Sequence, residues 1–331
     1  MSGQVADPTG EPLLAVEGLA KHFEIRTGSL KLAKVALKAV DGVGFTLARG
    51  ETLCLVGESG CGKSTVGKLL LRLMEPTGGT IRVDGADVTK ARGTQLRAFR
   101  KRVQMIFQDP FASLNPRLKA GVIVGEPLEN YGLLSAEGRR DKVADLFSRV
   151  GLRPEAAQKY PFEFSGGQRQ RLGIARALAL SPDVIVADEP VSALDVSVQA
   201  QVLNLLVDLR QALGLAYLFI SHDLGVVEYI AHRVAVMYLG RIVEIGDKRA
   251  IFSTPLHPYT QALMSAAPIA DPSAKRERLV LEGDVPSPLA PPSGCAFHPR
   301  CPFAFDRCRV EAPVLTLRGN GHSAACHLHD Q

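Results

Sequence analysis

Between positions 57 and 64 the chain reads Gly57-Glu58-Ser59-Gly60-Cys61-Gly62-Lys63-Ser64. Glycines so spaced let a backbone curl until its N–H groups converge on one anion, and a helix starting at the lysine adds the partial positive charge of its N-terminus. The cation and the hydroxyl that close the run suit a nucleoside triphosphate. Lys63 would bridge the β- and γ-phosphates, and Ser64, followed by Thr65, would face the magnesium ion that accompanies them. The bland alternative is a glycine turn at the start of a structural helix. Cys61 lies inside the loop, where converging amides and a helix terminus favour a thiolate.

A second acidic element, Val184-Ile-Val-Ala-Asp188-Glu189-Pro190, ends an apolar run in two carboxylates. A carboxylate at the end of a buried strand is costly to desolvate unless it meets a cation, which suits Asp188 to hold magnesium through water. Glu189, one residue on, can take a proton from an attacking water as general base. An acidic strand exit on the surface is the alternative.

These residues need a scaffold, and the sequence supplies one. Thr52–Val56, Val184–Ala187 and Ala216–Ile220 are short apolar runs that alternate with longer helical patterns. Continuous apolar strands of this kind belong in a parallel sheet covered on both faces, so the class is α/β. After the glycine loop, Val66, Leu69, Leu70 and Leu73 recur at helical spacing. From about Gln95 to Arg153 the chain reads as helical and charged, an inserted subdomain. Arg241–Ile245 reads as a strand and Tyr259–Ala266 as a short helix, while Pro286–Pro292 resists regular structure and reads as a linker before a small cysteine-bearing tail.

The 331 residues are 46% hydrophobic and 22% charged, enough for a large domain and an appendage. A net charge of +5 is not gathered into any basic block, which argues against nucleic acid as partner. No run nears the roughly 18 apolar residues of a spanning helix, and the start, MSGQVADPTGEP, has no apolar leader core. A soluble chain in a reducing compartment, tied to any membrane through partners, is the expectation. Of six cysteines, four crowd the end: Cys295, Cys301, Cys308 and Cys326. In a reducing compartment they read as metal ligands rather than disulfides.

Phe164-Ser165-Gly166-Gly167-Gln168, followed by the helical Arg169–Leu178, resembles the signature motif of ABC ATPases. Ser165 can cap that helix, and the glycines permit close approach to a phosphate. The resemblance implies that this terminus meets the γ-phosphate held by an opposite subunit, so that ATP lies sandwiched in a dimer. The other positions follow in order. Gln108 in Phe107-Gln-Asp-Pro110 resembles the Q-loop glutamine, which touches magnesium and the attacking water. Ser192-Ala-Leu-Asp195 resembles the D-loop, and His222 the switch histidine on the γ-phosphate. Phe23 falls where the family places an adenine-stacking tyrosine, and it keeps the stacking face; a core aromatic is the other reading of that position. Phe164 stands where leucine is usual.

Leu256-His-Pro-Tyr-Thr-Gln-Ala-Leu263 and Pro291-Pro-Ser-Gly-Cys-Ala-Phe-His-Pro-Arg-Cys301-Pro carry a closer likeness, to the ATPase subunits of oligopeptide, dipeptide and nickel importers. It implies a P-loop core of ABC ATPase type at 1–255, with a β-rich amino-terminal part and a helical signature subdomain at about 95–180. The C-terminal region of the importer group then occupies 256–331. Implied partners are a homologous ATPase subunit, two permeases and an extracytoplasmic solute-binding protein, with the chain peripheral on the cytoplasmic face of the membrane. The implied function is ATP hydrolysis driving peptide import; nickel or another small solute is the alternative cargo. A non-transport ABC ATPase would carry a second motif set or a long coiled coil, and a pure binding module would lack Glu189 or His222. The resemblance also implies a [4Fe–4S] cluster at the four late cysteines. Zinc with help from His298, His322 or His327, or plain structural thiols, are the other readings. Distance in sequence from every ATP motif makes that tail structural rather than catalytic.

Overall fold

In the computed structural model, residues 11–27, 33–266, 281 and 283–330 are described. The stretch read for a leader lies largely outside them, at 1–10. The strands are β1 Leu14–Thr27, β2 Ala33–Leu47, β3 Thr52–Val56, β4 Gly78–Val83, β5 Ala86–Asp87, β6 Val103–Ile106, β7 Val184–Asp188, β8 Ala216–Ile220, β9 Arg233–Tyr238, β10 Arg241–Asp247, β11 Thr316–Gly319 and β12 His322–Ala324. The helices are α1 Lys63–Leu70, α2 Gly93–Arg102, the single turn α3 Pro110–Ser113, α4 Ala120–Asn130, α5 Ala136–Arg149, α6 Gly166–Leu178, α7 Val196–Leu213, α8 Leu224–Ile230, α9 Lys248–Ser253, α10 Pro258–Ala266 and α11 Asp306–Val310.

The chain divides into two compact units. One is built chiefly from residues 91–219 together with 48–51. Its strands run in the order β8-β7-β6, and every residue of β7 and β8 is buried. Apart from Asp188 at the end of β7 these strands are apolar, as a sheet sandwiched between helices requires. β6 pairs parallel to β7 with Val103 opposite Val184 and Ile106 opposite Ala187. The charged composition of this part of the chain predicts helix; four residues, three of them buried, form a strand instead. Helical content resumes with α4, α5 and α6. The Ser165 hydroxyl starts α6 by accepting the Gln168 N–H while the Gln168 side chain accepts the Ser165 N–H, satisfying two orphan donors at once.

The second unit holds residues 11–47, 52–90 and 220–331. A four-stranded antiparallel sheet, ordered β2-β1-β4-β5, makes the β-rich amino-terminal part. A second set is ordered β11-β12-β10-β9-β3. β3 lies parallel to β9, and β10 is antiparallel to both β9 and β12. The β9–β10 hairpin turns on Leu239 and Gly240, both at positive φ, the two-residue geometry that suits strand twist. α1 ends sooner than the apolar spacing predicts. Arg72 turns left-handed at φ 52, so Leu73 leaves the helix face and is 52% exposed.

Candidate nucleotide-binding site

The second unit carries the glycine loop between β3 and α1. Gly57 sits at φ 148 and Gly62 at φ 108, where side chains are strained. A Cβ on Gly57 would lie 2.2 Å from the Met237 carbonyl oxygen, and one on Gly62 2.1 Å from that of Ala39. No side chain caps α1, and its first turn holds no acidic residue, so no carboxylate there would oppose an anion at the helix start. Lys63, 6% exposed, donates from Nζ to the carbonyls of Gly57 at 2.7 Å and Glu58 at 2.9 Å. A buried ammonium thus stands inside the curl.

Cys61 departs from expectation. Burial pushes its thiol above the ordinary value, and the nearby Lys63 ammonium offsets only part of that. It is a thiol, 5% exposed, rather than an activated thiolate.

His222 is exposed in the short loop before α8. Asp223 pins that loop by accepting from the N–H of Gly225 at 2.8 Å and of Val226 at 3.2 Å. Phe23 stands on β1, half-buried, with the Lys21 ammonium 5.2 Å from its ring centre; it is not a core aromatic.

The first unit carries the carboxylates. Asp188 ends β7 at 4% exposure, a hard oxygen donor of the kind magnesium takes. Glu189 follows at φ 45, in the left-handed region, a backbone strain typical of functional positions. The β6–β7 register sets Ile106 beside Ala187, so two residues on Gln108 comes level with Glu189. Gln108 Nε2 donates to Glu189 Oε2 at 2.9 Å. Ser192 Oγ donates to the Glu189 carbonyl at 3.1 Å, and Asp195 caps α7 through the Val198 N–H at 3.0 Å. Ser165, Gly166, Gly167 and Gln168 form the first turn of α6 and its cap.

In the tail, Cys295, Cys301, Cys308 and Cys326 line one small cavity together with His298 and His327. Burial raises the Cys295, Cys301 and Cys326 thiols, against which backbone N–H groups of Phe297, Phe303 and Leu328 respectively donate. Among the described residues no group of three or more His, Cys, Asp or Glu stands in an arrangement that could hold a metal ion. His322 is engaged elsewhere, 2.7 Å from the buried Glu244 carboxylate.

The same tail reaches the phosphate loop, which sequence reading missed. Arg300 pairs with Glu58 at 2.9 Å, and the Tyr259 hydroxyl accepts the Glu58 N–H at 2.8 Å. Both residues lay in the stretches that marked the closer family likeness, but nothing in those stretches named their target.

Known proteins resemble this chain in sequence and in fold. Residues 40–192 match the family model for ABC transporters, and residues 243–308 match that for the oligopeptide/dipeptide transporter C-terminal region. A probable peptide ABC transporter ATP-binding protein of Sinorhizobium fredii, y4tS, is 59% identical, covering 96% of this chain and 90% of the relative. The oligopeptide transport ATP-binding protein AppF of Bacillus subtilis is 52% identical over 96% of this chain and 98% of its own. The dipeptide transport ATP-binding protein DppF of Haemophilus influenzae is 53% identical over 98% and 99%. Among solved structures, the dimeric post-hydrolysis ATP-binding cassette MJ0796 bound to ADP and Pi is 27% identical, with TM-score 0.62, covering 71% of this chain and 98% of that one. CbiO1 from Clostridium perfringens, part of the transporter complex cbiONQ, is 26% identical, with TM-score 0.63, covering 74% and 92%.

Proposed function

The chain belongs to the ABC transporter ATP-binding proteins of the peptide-import group, and we propose that it binds and hydrolyses MgATP to drive uptake of di- or oligopeptides through a pair of permeases. What carries this reading is identity of 52–59% with peptide-transport ATP-binding proteins along nearly the whole chain, tail included. It is an ATPase that works as a dimer with membrane partners. The finer proposal is a heterodimer with a homologous ATPase subunit, fed by an extracytoplasmic solute-binding protein. The division into an ATPase domain at 1–255 and a C-terminal region at 256–331 belongs to the same proposal. Among the described residues no helix is long and apolar enough to cross a membrane. The location proposed from the family is the cytoplasmic face of the membrane, against the permeases.

The residues take these roles. Phe23 stacks on adenine. The amides of Gly57 to Thr65 and the Lys63 ammonium receive the phosphates. Magnesium, held through Ser64, Gln108 and Asp188, would neutralise charge on the β- and γ-phosphates. Gln108 fixes the Glu189 carboxylate, which takes the proton of the attacking water on Oε. His222 donates to the γ-phosphate, while Ser165 to Gln168 and Asp195 serve the nucleotide of the partner subunit.

Reconstitution with both permeases and the partner ATPase in lipid vesicles tests this. Peptide-loaded binding protein should raise ATP hydrolysis several-fold over the unloaded form. Stimulation by a nickel-loaded binding protein in its place would assign the metal cargo, and stimulation by neither would remove the importer role.

We infer further that the four late cysteines hold a [4Fe–4S] cluster. Its support is the donor set: four thiols around one cavity, three facing backbone N–H donors of the kind that stabilise cluster sulfurs. Bound there, a cluster would order a segment with little core of its own. Anaerobically purified protein should be brown, with equal iron and acid-labile sulfide, and Cys301→Ser should lose both. Colourless protein with one zinc would assign a zinc site, and protein with neither metal would leave structural thiols.

A further inference from the structure

Glu58 is the second residue of the phosphate loop, and each of its polar groups is engaged. Its carboxylate receives Nη1 and Nη2 of Arg300 at 2.9 and 3.1 Å. Its N–H donates to the Tyr259 hydroxyl at 2.8 Å, and its carbonyl accepts from Lys63 at 2.9 Å. Two of the three partners come from the C-terminal region. The Arg300 side chain is only 8% exposed and that of Glu58 28%, so the pair is partly desolvated, where a two-pronged guanidinium bond fixes direction as well as charge.

The tail places Arg300 by a separate anchor. Phe297, 1% exposed, packs its ring 5.3 Å from Tyr238 and 5.5 Å from Tyr259, which are themselves 4.7 Å apart. Phe297 opens the short turn that ends at Arg300. Tyr238 follows Met237, whose carbonyl occupies the space a Gly57 side chain would need. The aromatic cluster therefore backs the loop at Gly57, and the guanidinium and phenol hold it at Glu58.

From this geometry we propose that Tyr259 and Arg300 are positioning residues of the phosphate loop, setting the path of its backbone and cancelling the Glu58 charge beside the polyphosphate. The proposal rests on the MgATP reading above. A carboxylate left unneutralised there repels phosphate, whereas a neutral residue does not. Arg300→Gln should therefore weaken MgATP binding, and Glu58→Gln added to it should restore binding. A merely structural contact gives the opposite order, with the double variant worse than either single one.

The test uses the assembled transporter for hydrolysis kinetics and the full chain for titration with a fluorescent ATP analogue. Arg300→Gln should raise KM and Kd about tenfold, as for loss of one member of a partly buried pair, with kcat within about twofold. Arg300→Lys should recover only part, since one ammonium cannot make both bonds. The Arg300→Gln, Glu58→Gln double variant should return to within about threefold of the parent. Tyr259→Phe keeps the ring packing, loses the acceptor, and should raise KM in the same direction. Lys63→Ala serves as reference. If it leaves nucleotide binding intact, the MgATP reading fails. If it abolishes binding while Arg300→Gln and Tyr259→Phe bind like the parent, or while the double variant gives no recovery, the positioning role fails. A fall in binding stoichiometry at unchanged Kd would mark a folding effect and overturn it as well.

Discussion

Glu189→Gln is expected to keep MgATP affinity within about twofold while hydrolysis by the assembled transporter falls by 10²–10⁴-fold, the usual worth of a general base. The exchange alters one atom. Glu189 is oriented by Gln108 Nε2 at 2.9 Å, and its backbone, at φ 45, is set by the turn after β7. A glutamine of the same length can keep that path. What it cannot do is accept a proton at pH 7. Asp188 is untouched, so magnesium and nucleotide should still bind. Phosphate release at the parental rate in single turnovers would show that another group takes the proton.

Gly62→Ala is expected to abolish nucleotide binding by a different route. At φ 108 a side chain is strained, at about 1–3 kcal/mol. The new Cβ would also stand 2.1 Å from the Ala39 carbonyl oxygen and 2.9 Å from Met237 Cε. The methionine end can move; the β2 backbone cannot without disturbing its pairing. The loop must shift instead, and amides that converge on one anion lose that convergence. The Kd for MgATP should rise more than about a hundredfold, beyond what a single lost hydrogen bond explains. Calorimetric titration with a parallel melting curve checks it, and parental affinity in Gly62→Ala would deny the loop its role.

How much of this was readable in the chain depended on range. The phosphate loop, the Ser165–Gln168 cap and the apolar strands β3, β7 and β8 are local patterns, and they were legible. β6 was not: Val103-Gln-Met-Ile106 is short, follows the charged α2 and gains its strand identity only from pairing with β7. The Cys61 thiol ran opposite to expectation because burial, a property of the folded unit, outweighs the amides and lysine that the sequence displays. The contact between the tail and the phosphate loop was hidden for the same reason. Arg300 and Glu58 are 242 positions apart, and no spacing rule spans that distance.

The pairing of β12 with β10 sets a schedule for the growing chain. Glu244 faces Ala324 in that ladder, so one outer edge of β10 waits for a partner made 80 residues later, 324 minus 244. At about 5–20 residues per second the wait is roughly 4–16 s. Over that interval the Val243 and Glu244 backbone presents an open strand edge, a template for pairing with a neighbouring nascent chain. Ribosomes that stall between these two points release chains with the full set of ATP motifs and a bare β-edge, which makes them candidates for aggregation and for early removal by proteases.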